Sequence, residues 1–144
     1  MGRLIGIDFG LKRIGLARTD EGKRLASPFK RIIAGKTVEE TCGILFKEIG
    51  SLKEIDAFIV GLPLMMSGRD SEITIKARAF AKTLEEMSEK PVHLWDERLT
   101  SKLVENEMRN AGVKRKKRAQ EVDVLAAVVI LQSYLESCYN RGIL

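Results

Sequence analysis

The chain is poor in the residues on which several common chemistries depend. Its two cysteines, Cys42 and Cys138, stand far apart and outside any Cys-x-x-Cys or Cys/His cluster, which argues against a disulfide scaffold and a zinc site. His93 is the sole histidine, so a Ser-His-Asp or Cys-His triad would depend on that residue. Flanked by Val92, Leu94 and Trp95, it reads instead as a structural strand residue. No apolar run approaches the roughly 18 residues of a membrane span, and the N-terminus lacks the basic-then-apolar pattern of a signal peptide. A cytoplasmic protein with no membrane partner is expected. Internal repeats, linkers and low-complexity segments are absent, and 144 residues suit one domain, 1–144, with one good core. Chemistry must then rest on carboxylates.

Cations exceed anions by 25 − 20 = 5, and the excess is local. Lys114, Arg115, Lys116, Lys117 and Arg118 form an unbroken basic run, without which the chain would be neutral. Such a run is the electrostatic footprint of a polyanion, nucleic acid above all.

Leu4 to Phe9 is short, apolar and partly β-branched, as in a strand buried on both faces. Gly10 ends it, and Ile14 to Thr19 returns antiparallel, giving a hairpin whose tip carries Lys12 and Arg13. Leu25 to Ile33 is a third antiparallel strand, which Pro28 assigns to an edge. Thr37 and Glu40 form a capping box for a helix reaching about Gly50. Ile55 to Val60 is a buried strand, and strand, helix, strand implies a parallel crossover. The loop Gly61 to Asp70 should overlook the site, with Met65 and Met66 packing against bases or plugging a gap, the plug being the more frequent role. Asp70 or Ser71 caps a helix with apolar Ile73, Ala77, Phe80, Leu84 and Met87, whose charged opposite face reads as solvated surface. Val92 to Glu97 is another strand, and Thr100 opens a helix ending near Gly112. The basic run follows as a loop or fraying helix start. A last helix, about 118 to 138, is buried nearly all round in its middle turns.

Asp8 interrupts the first apolar run, and a charged, unpaired aspartate there would cost several kcal/mol. The hairpin admits two functional readings: a metal-holding aspartate of a nuclease, or the phosphate-binding turn of an actin- or sugar-kinase-like ATPase. The two-lobed ATPases need about twice this length. Asp8, Glu97 (or Asp96) and Asp123 each end a buried element. Side chains alternate along a strand, so Asp96 and Glu97 cannot both face one site. Three converging acids repel unless cations neutralise them, and hard oxygen donors suit Mg²⁺ or Mn²⁺, the ions of phosphodiester hydrolysis. Lys12, Arg13, Arg98 and Lys114 to Arg118 would neutralise substrate phosphates.

Four segments taken together, Ile7 to Gly15, Val60 to Met65, Asp96 to Ser101 and Val122-Asp123 with Ala126 to Val128, resemble the signature blocks of the YqgF/RuvX family. The resemblance spans nearly the whole chain. It implies a ribonuclease-H-like α/β fold: a five-stranded mixed sheet, three antiparallel strands then two parallel ones, flanked by helices. It also implies Asp8, Glu97 and Asp123 as metal-binding acids. The related RuvC resolvases add an acid on the last helix where this chain has Ala126. The family is associated with maturation of the 5′ end of pre-16S rRNA and, through RuvC, with resolution of four-way DNA junctions. The first is the expectation here, with the pre-ribosomal particle as a further partner. A non-catalytic ribosome-assembly module is a third reading. RNA trimming is compatible with a monomer, and junction resolution would favour a homodimer.

Overall fold

The computed structural model describes residues 2–99 and 115–143, and over residues 115–122 the backbone alone. Strands β1 (Arg3–Asp8), β2 (Arg13–Thr19) and β3 (Ala26–Ile33) form an antiparallel meander. Helix α1 (Val38–Ile49) leads to β4 (Ile55–Leu62), and helix α2 (Glu72–Ser88) leads to β5 (Val92–Asp96). β4 pairs parallel with β1, and β5 with β4, giving the order β3-β2-β1-β4-β5. Helix α3 (Arg115–Asn140) closes the chain. The sheet is the one the sequence implies.

Pro28 sits on the edge strand, where a missing N–H costs nothing. Leu16 pairs with Lys30 and Ala17 with Pro28, so Phe29 is the extra residue of a bulge. Arg18 lies over its ring at 4.5 Å. Strand ends depart from expectation by a residue or two: Phe9 falls outside β1, β4 runs on to Leu62, and β5 stops at Asp96. The expected helix from Thr100 to Gly112 lies outside the described residues.

Thr37 caps α1 by accepting from the Glu40 N–H, but the Glu40 carboxylate accepts from Lys36 rather than Thr37. The expected box is displaced by one residue. For α2 the cap is Ser71, with a reciprocal bond from its own N–H to the Thr74 hydroxyl. Asp70, the other candidate, takes Arg78 by two hydrogen bonds of 2.8 and 3.2 Å. The outer face of α2 is thus partly ion-paired rather than merely solvated. The last helix begins at Arg115, so the backbone of Arg115 to Arg118 is helical rather than loop. From Asp123 to Cys138 no α3 side chain is exposed.

Alternation along the strands builds two cores. Ile5, Ile7, Ile14, Leu16, Phe58 and Val60 meet Phe80 and Leu84 of α2 and Leu45 of α1 on one face. Leu4, Ala17, Ala57 and Ile59 meet Ala127, Val128, Leu131 and Leu135 of α3 on the other. Each large side chain fully buried contributes about 1.5–3 kcal/mol. The two faces differ in residue size. Towards α3 the strands present glycine and alanine, and a Cβ on Gly6 would stand 2.7 Å from the Leu131 Cβ. A Cβ on Gly61 would stand 2.5 Å from the Ile130 Cδ1, and one on Gly15 would overlap the Asp123 carbonyl. The helix therefore lies directly on the sheet.

Gln132 accepts from the Ala26 N–H at 2.9 Å, and the Tyr139 hydroxyl donates to the Lys23 carbonyl at 2.7 Å, pinning α3 to the β2–β3 end of the molecule. Cys42 and Cys138 are both buried. Burial, helped by Glu39, pushes the Cys42 thiol up to about 11, which keeps it an unreactive core residue.

Gly15→Ala should destabilise the fold by about 2–3 kcal/mol, because the clashing atom is helix backbone and cannot swing aside. Gly43→Ala, in α1 with nothing within 4 Å of its added methyl, should stabilise by about 0.5–1 kcal/mol. Urea unfolding of the two variants beside wild type checks both signs.

Candidate active site

Strand parity assigns the site residues to faces before any distance is measured. Leu4, Gly6 and Asp8 alternate towards α3 along β1, while Ile5 and Ile7 point to the opposite core. On β5 the rings of His93 and Trp95 pack against Tyr134 of α3, at 5.8 Å stacked and 5.9 Å edge-on. His93 is thus structural, as its strand setting suggests. Continuing that parity beyond Trp95 carries Glu97, and not Asp96, to the α3 side.

A short 3₁₀ turn over Glu97–Leu99 then aims the Glu97 carboxylate inward. One of its oxygens lies 3.1 Å from where a Gly61 Cβ would stand. Glu97 and Asp8 are hydrogen bonded to each other. Asp123 enters from α3, whose carbonyl at that residue rests over Gly15, the β2 residue directly opposite Asp8. The glycines at these strand positions leave room for carboxylates between helix and sheet.

Asp96 faces the other way and is fully engaged. The Arg98 backbone N–H, Nε and Nη2 all donate to its carboxylate, at 2.7 to 3.0 Å, and these bonds hold the Asp96 carboxyl below the usual range. Arg98 thereby braces the turn that carries Glu97, and its Nη1 reaches the Met66 carbonyl at 3.5 Å. Met66 itself is 91% exposed and Met65 48%. Neither plugs a gap, because Gly68 takes a left-handed conformation (φ 84°) and folds the loop back on Met65, turning the methionines to solvent.

Burial is the largest influence on Asp8, followed by the charges of Glu97 and Asp123, and together they raise its carboxyl to about 7. Glu97 is also raised, by burial first and then by Asp96, with the Asp8 hydrogen bond opposing. A proton on Asp8 donated to Glu97 is what these directions describe. The Asp123 carboxylate lies 3.9 Å from the Arg13 Nε, with Arg13 largely exposed. Lys12 is exposed beside it at the hairpin tip. Lys114 lies outside the described residues, as do the side chains of Arg115, Lys116, Lys117 and Arg118.

Burial and the charges of Glu97 and Asp123 disfavour a charged Asp8, a conflict that a cation would relieve, and oxygen donors without histidine or cysteine select a hard one. The donor set fits Mg²⁺ or Mn²⁺ in kind. Among the described residues, however, no three acidic side chains are gathered as tightly as a finished ligand set. Asp8 and Glu97 touch, and Asp123 leans towards Arg13. Ala126 occupies the helix position at which a fourth acid could join them.

Comparison with known proteins places this geometry in context. The family model described as RuvX, Holliday junction resolvase, matches residues 2–137. A protein of Protochlamydia amoebophila, provisionally named a pre-16S rRNA nuclease, is 43% identical over 94% of this chain and 93% of its own. One of Koribacter versatilis with the same provisional name is 40% identical over 99% and 90%. Among solved structures, Thermus thermophilus RuvC in complex with a Holliday junction substrate superposes with a TM-score of 0.59 at 12% identity, covering 99% of this chain and 98% of that one. The fowlpox virus Holliday junction resolvase gives 0.56 at 14% identity, covering 94% and 99%. These structural likenesses establish a shared ribonuclease-H-like fold.

The raised Asp8 carboxyl makes a signed prediction for the metal-free protein. Below about pH 4 the group is protonated folded or unfolded. As pH rises towards 7 the unfolded chain loses that proton and the folded one keeps it, so stability falls. Asp8→Asn should remove this contribution and raise Tm by a few degrees at pH 8 in EDTA, with the gain vanishing near pH 4. Thermal melts at the two pH values check it, and an equal gain at both would show that Asp8 is not the group responsible.

Proposed function

The chain belongs to the RuvX family of Holliday junction resolvases, and from that premise we propose that it is a divalent-metal-dependent nuclease that processes the 5′ end of pre-16S rRNA in the cytoplasm. The class of reaction is phosphodiester hydrolysis, in keeping with relatives named as nucleases. The observation that carries the metal-dependent reading is the meeting of Asp8 and Glu97, with Asp123 coupled to them, at one end of the sheet. The RNA substrate rests on the relatives' names. The family description favours a second reading, resolution of a four-way DNA junction, which would call for two copies of the chain related by a two-fold axis.

In hydrolysis, water adds to phosphorus and the bond to the leaving oxygen breaks, so negative charge builds on the phosphoryl oxygens. A bound Mg²⁺ or Mn²⁺ supplies Lewis-acid stabilisation of that charge and a more acidic water. Asp8, Glu97 and Asp123 would hold the ion, and Asp123 would have to turn from Arg13 to do so. Arg13 would then be free to take a substrate phosphate, with exposed Lys12 beside it. Arg98 keeps Glu97 in place by bracing its turn against Asp96. The basic run Lys114 to Arg118, whose last four residues begin the helix that carries Asp123, would track the nucleic-acid backbone.

The deciding experiment incubates wild type and Asp8→Asn with a pre-16S leader RNA and a four-way DNA junction, each with Mg²⁺ or Mn²⁺. Cleavage of RNA by wild type alone supports the processing nuclease. Paired symmetric nicks in the junction would replace it with the resolvase. Cutting by Asp8→Asn at the wild-type rate would refute the carboxylate site, and binding without cutting would indicate an assembly module. Neutralising Lys114 to Arg118 should lower affinity and flatten the slope of log K against log salt by up to about 3.5 for a single strand. An unchanged slope would show the run to be idle.

A further inference from the structure

The strand that ends in Asp8 continues into Phe9, and the same alternation that sends the carboxylate towards α3 sends the ring to the opposite face of the sheet. There it packs on Phe80 at 5.0 Å between centroids, tilted by 35°, and remains only partly buried. It forms one wall of an open cavity of about 370 Å³ between the β1–β2 hairpin, the start of α1 and the middle of α2. Val38, Ala34, Ala79 and Phe80 complete an apolar floor, and exposed Leu11, Lys36 and Lys76 stand at the rim. Neither the carboxylate site nor the basic run uses this cavity.

We propose that the cavity receives an unpaired nucleobase of the substrate strand, one flanking the phosphate held at Asp8. The inference rests on the nuclease reading and adds a subsite to it. Three features select this occupant. The floor is apolar and partly aromatic, the surface against which an unstacked base is stabilised irrespective of its hydrogen-bonding edge. The rim is cationic, matching the phosphates on either side of such a base. Lys76 has Glu72 as its partner at 3.6 Å, but that pair is exposed on both sides and contributes little, so a phosphate can take the lysine. Position is the third feature. Asp8 and Phe9 are consecutive, so the carboxylates and the cavity lie on opposite faces at the same end of β1, and a nucleic-acid strand rounding that end would meet both. A cavity walled by the hairpin, the start of α1 and the middle of α2 suits a base that has left its partner strand better than a paired one. The cavity would therefore restrict cutting to single-stranded or locally opened nucleic acid.

Ala79 is exposed on α2 and far from the carboxylates in function, so Ala79→Phe fills the cavity and leaves the catalytic groups untouched. Ala79→Leu serves the same end with a smaller addition. Binding of a short single-stranded RNA is measured in EDTA, with one base at a time replaced by an abasic site. For wild type, removal of the base at one position should cost about 5- to 150-fold in affinity, the range of base–aromatic contacts. For Ala79→Phe or Ala79→Leu the intact strand should already bind that much more weakly, and removal of the same base should cost nothing further. Lys76→Gln should weaken the intact and abasic strands alike. An equal cost of base removal in wild type and filled variants, or no position at which removal matters, would overturn the proposal. Wild-type cleavage of the same RNA with Mg²⁺ would then leave the nuclease reading standing. Failure of wild type to bind the single strand at all would also overturn the cavity's role, and the nuclease reading would be judged on the cleavage assay alone.

Discussion

The contact between the backbone of α3 and the backbone of β2 at Gly15 is the constraint on which the site depends. A helix packed on a sheet through ordinary side chains keeps its axis about 10 Å away, as packed layers generally do. Here Gly6, Gly15 and Gly61 strip the side chains from one stripe of the sheet, and α3 settles into it. Asp123 is thereby lowered to the level of Asp8, a residue from the opposite end of the sequence. The opposite face of the sheet uses large apolar residues against α1 and α2.

That approach creates an electrostatic conflict which the protein's own groups relieve incompletely. Desolvation and two neighbouring acids disfavour the charge on Asp8, and the remedies in the metal-free protein are a proton shared with Glu97 and an arginine near Asp123. Both remedies are replaceable. A bound cation would displace the proton and a substrate phosphate would compete for Arg13, so on the proposed function each would remove an obstacle to the other. Asp96 supplies the contrast: it has the same side chain, one residue from Glu97, yet its surroundings satisfy it completely through Arg98. Its role is to fix the turn, not to take part in the site.

Most of the architecture could be read from residue patterns. The meander, the edge position given by Pro28, the two parallel crossovers and the buried final helix follow from apolar periodicity and breakers. Asp8, Glu97 (or Asp96) and Asp123 were singled out by the same reading, because a carboxylate at the end of an apolar element needs a reason; the structure brings Asp8 and Glu97 together and turns Asp123 towards Arg13. What stayed hidden depends on tertiary partners. The choice between Asp96 and Glu97 is implicit in the parity of Trp95, but only once Trp95 is known to face α3. The role of Gly15 and Gly61 was invisible, since a strand glycine signals a bulge or a close approach without naming the partner. Met65 and Met66 were misplaced for a similar reason: the left-handed Gly68 that turns them outward acts through geometry rather than composition. The displaced cap at Lys36 reflects a choice between two adjacent N–H groups that the sequence motif does not distinguish.

The end of β1 shows how a single strand can recognise two parts of one ligand. Consecutive residues of a strand face opposite sides of the sheet, a fact normally used to separate core from solvent. At Asp8 and Phe9 both sides are occupied by helices, and both residues are only partly buried, just before Gly10 begins the turn. A polyanion reaching that end meets a carboxylate cluster on one side and an apolar, lysine-rimmed cavity on the other. A nucleotide has the same division, with charge on the phosphate and apolar faces on the base, and its two parts are joined by a short sugar linkage. The correspondence follows from the pleat itself, and it would be lost if one residue were inserted between Asp8 and Phe9, which would bring both groups to the same face.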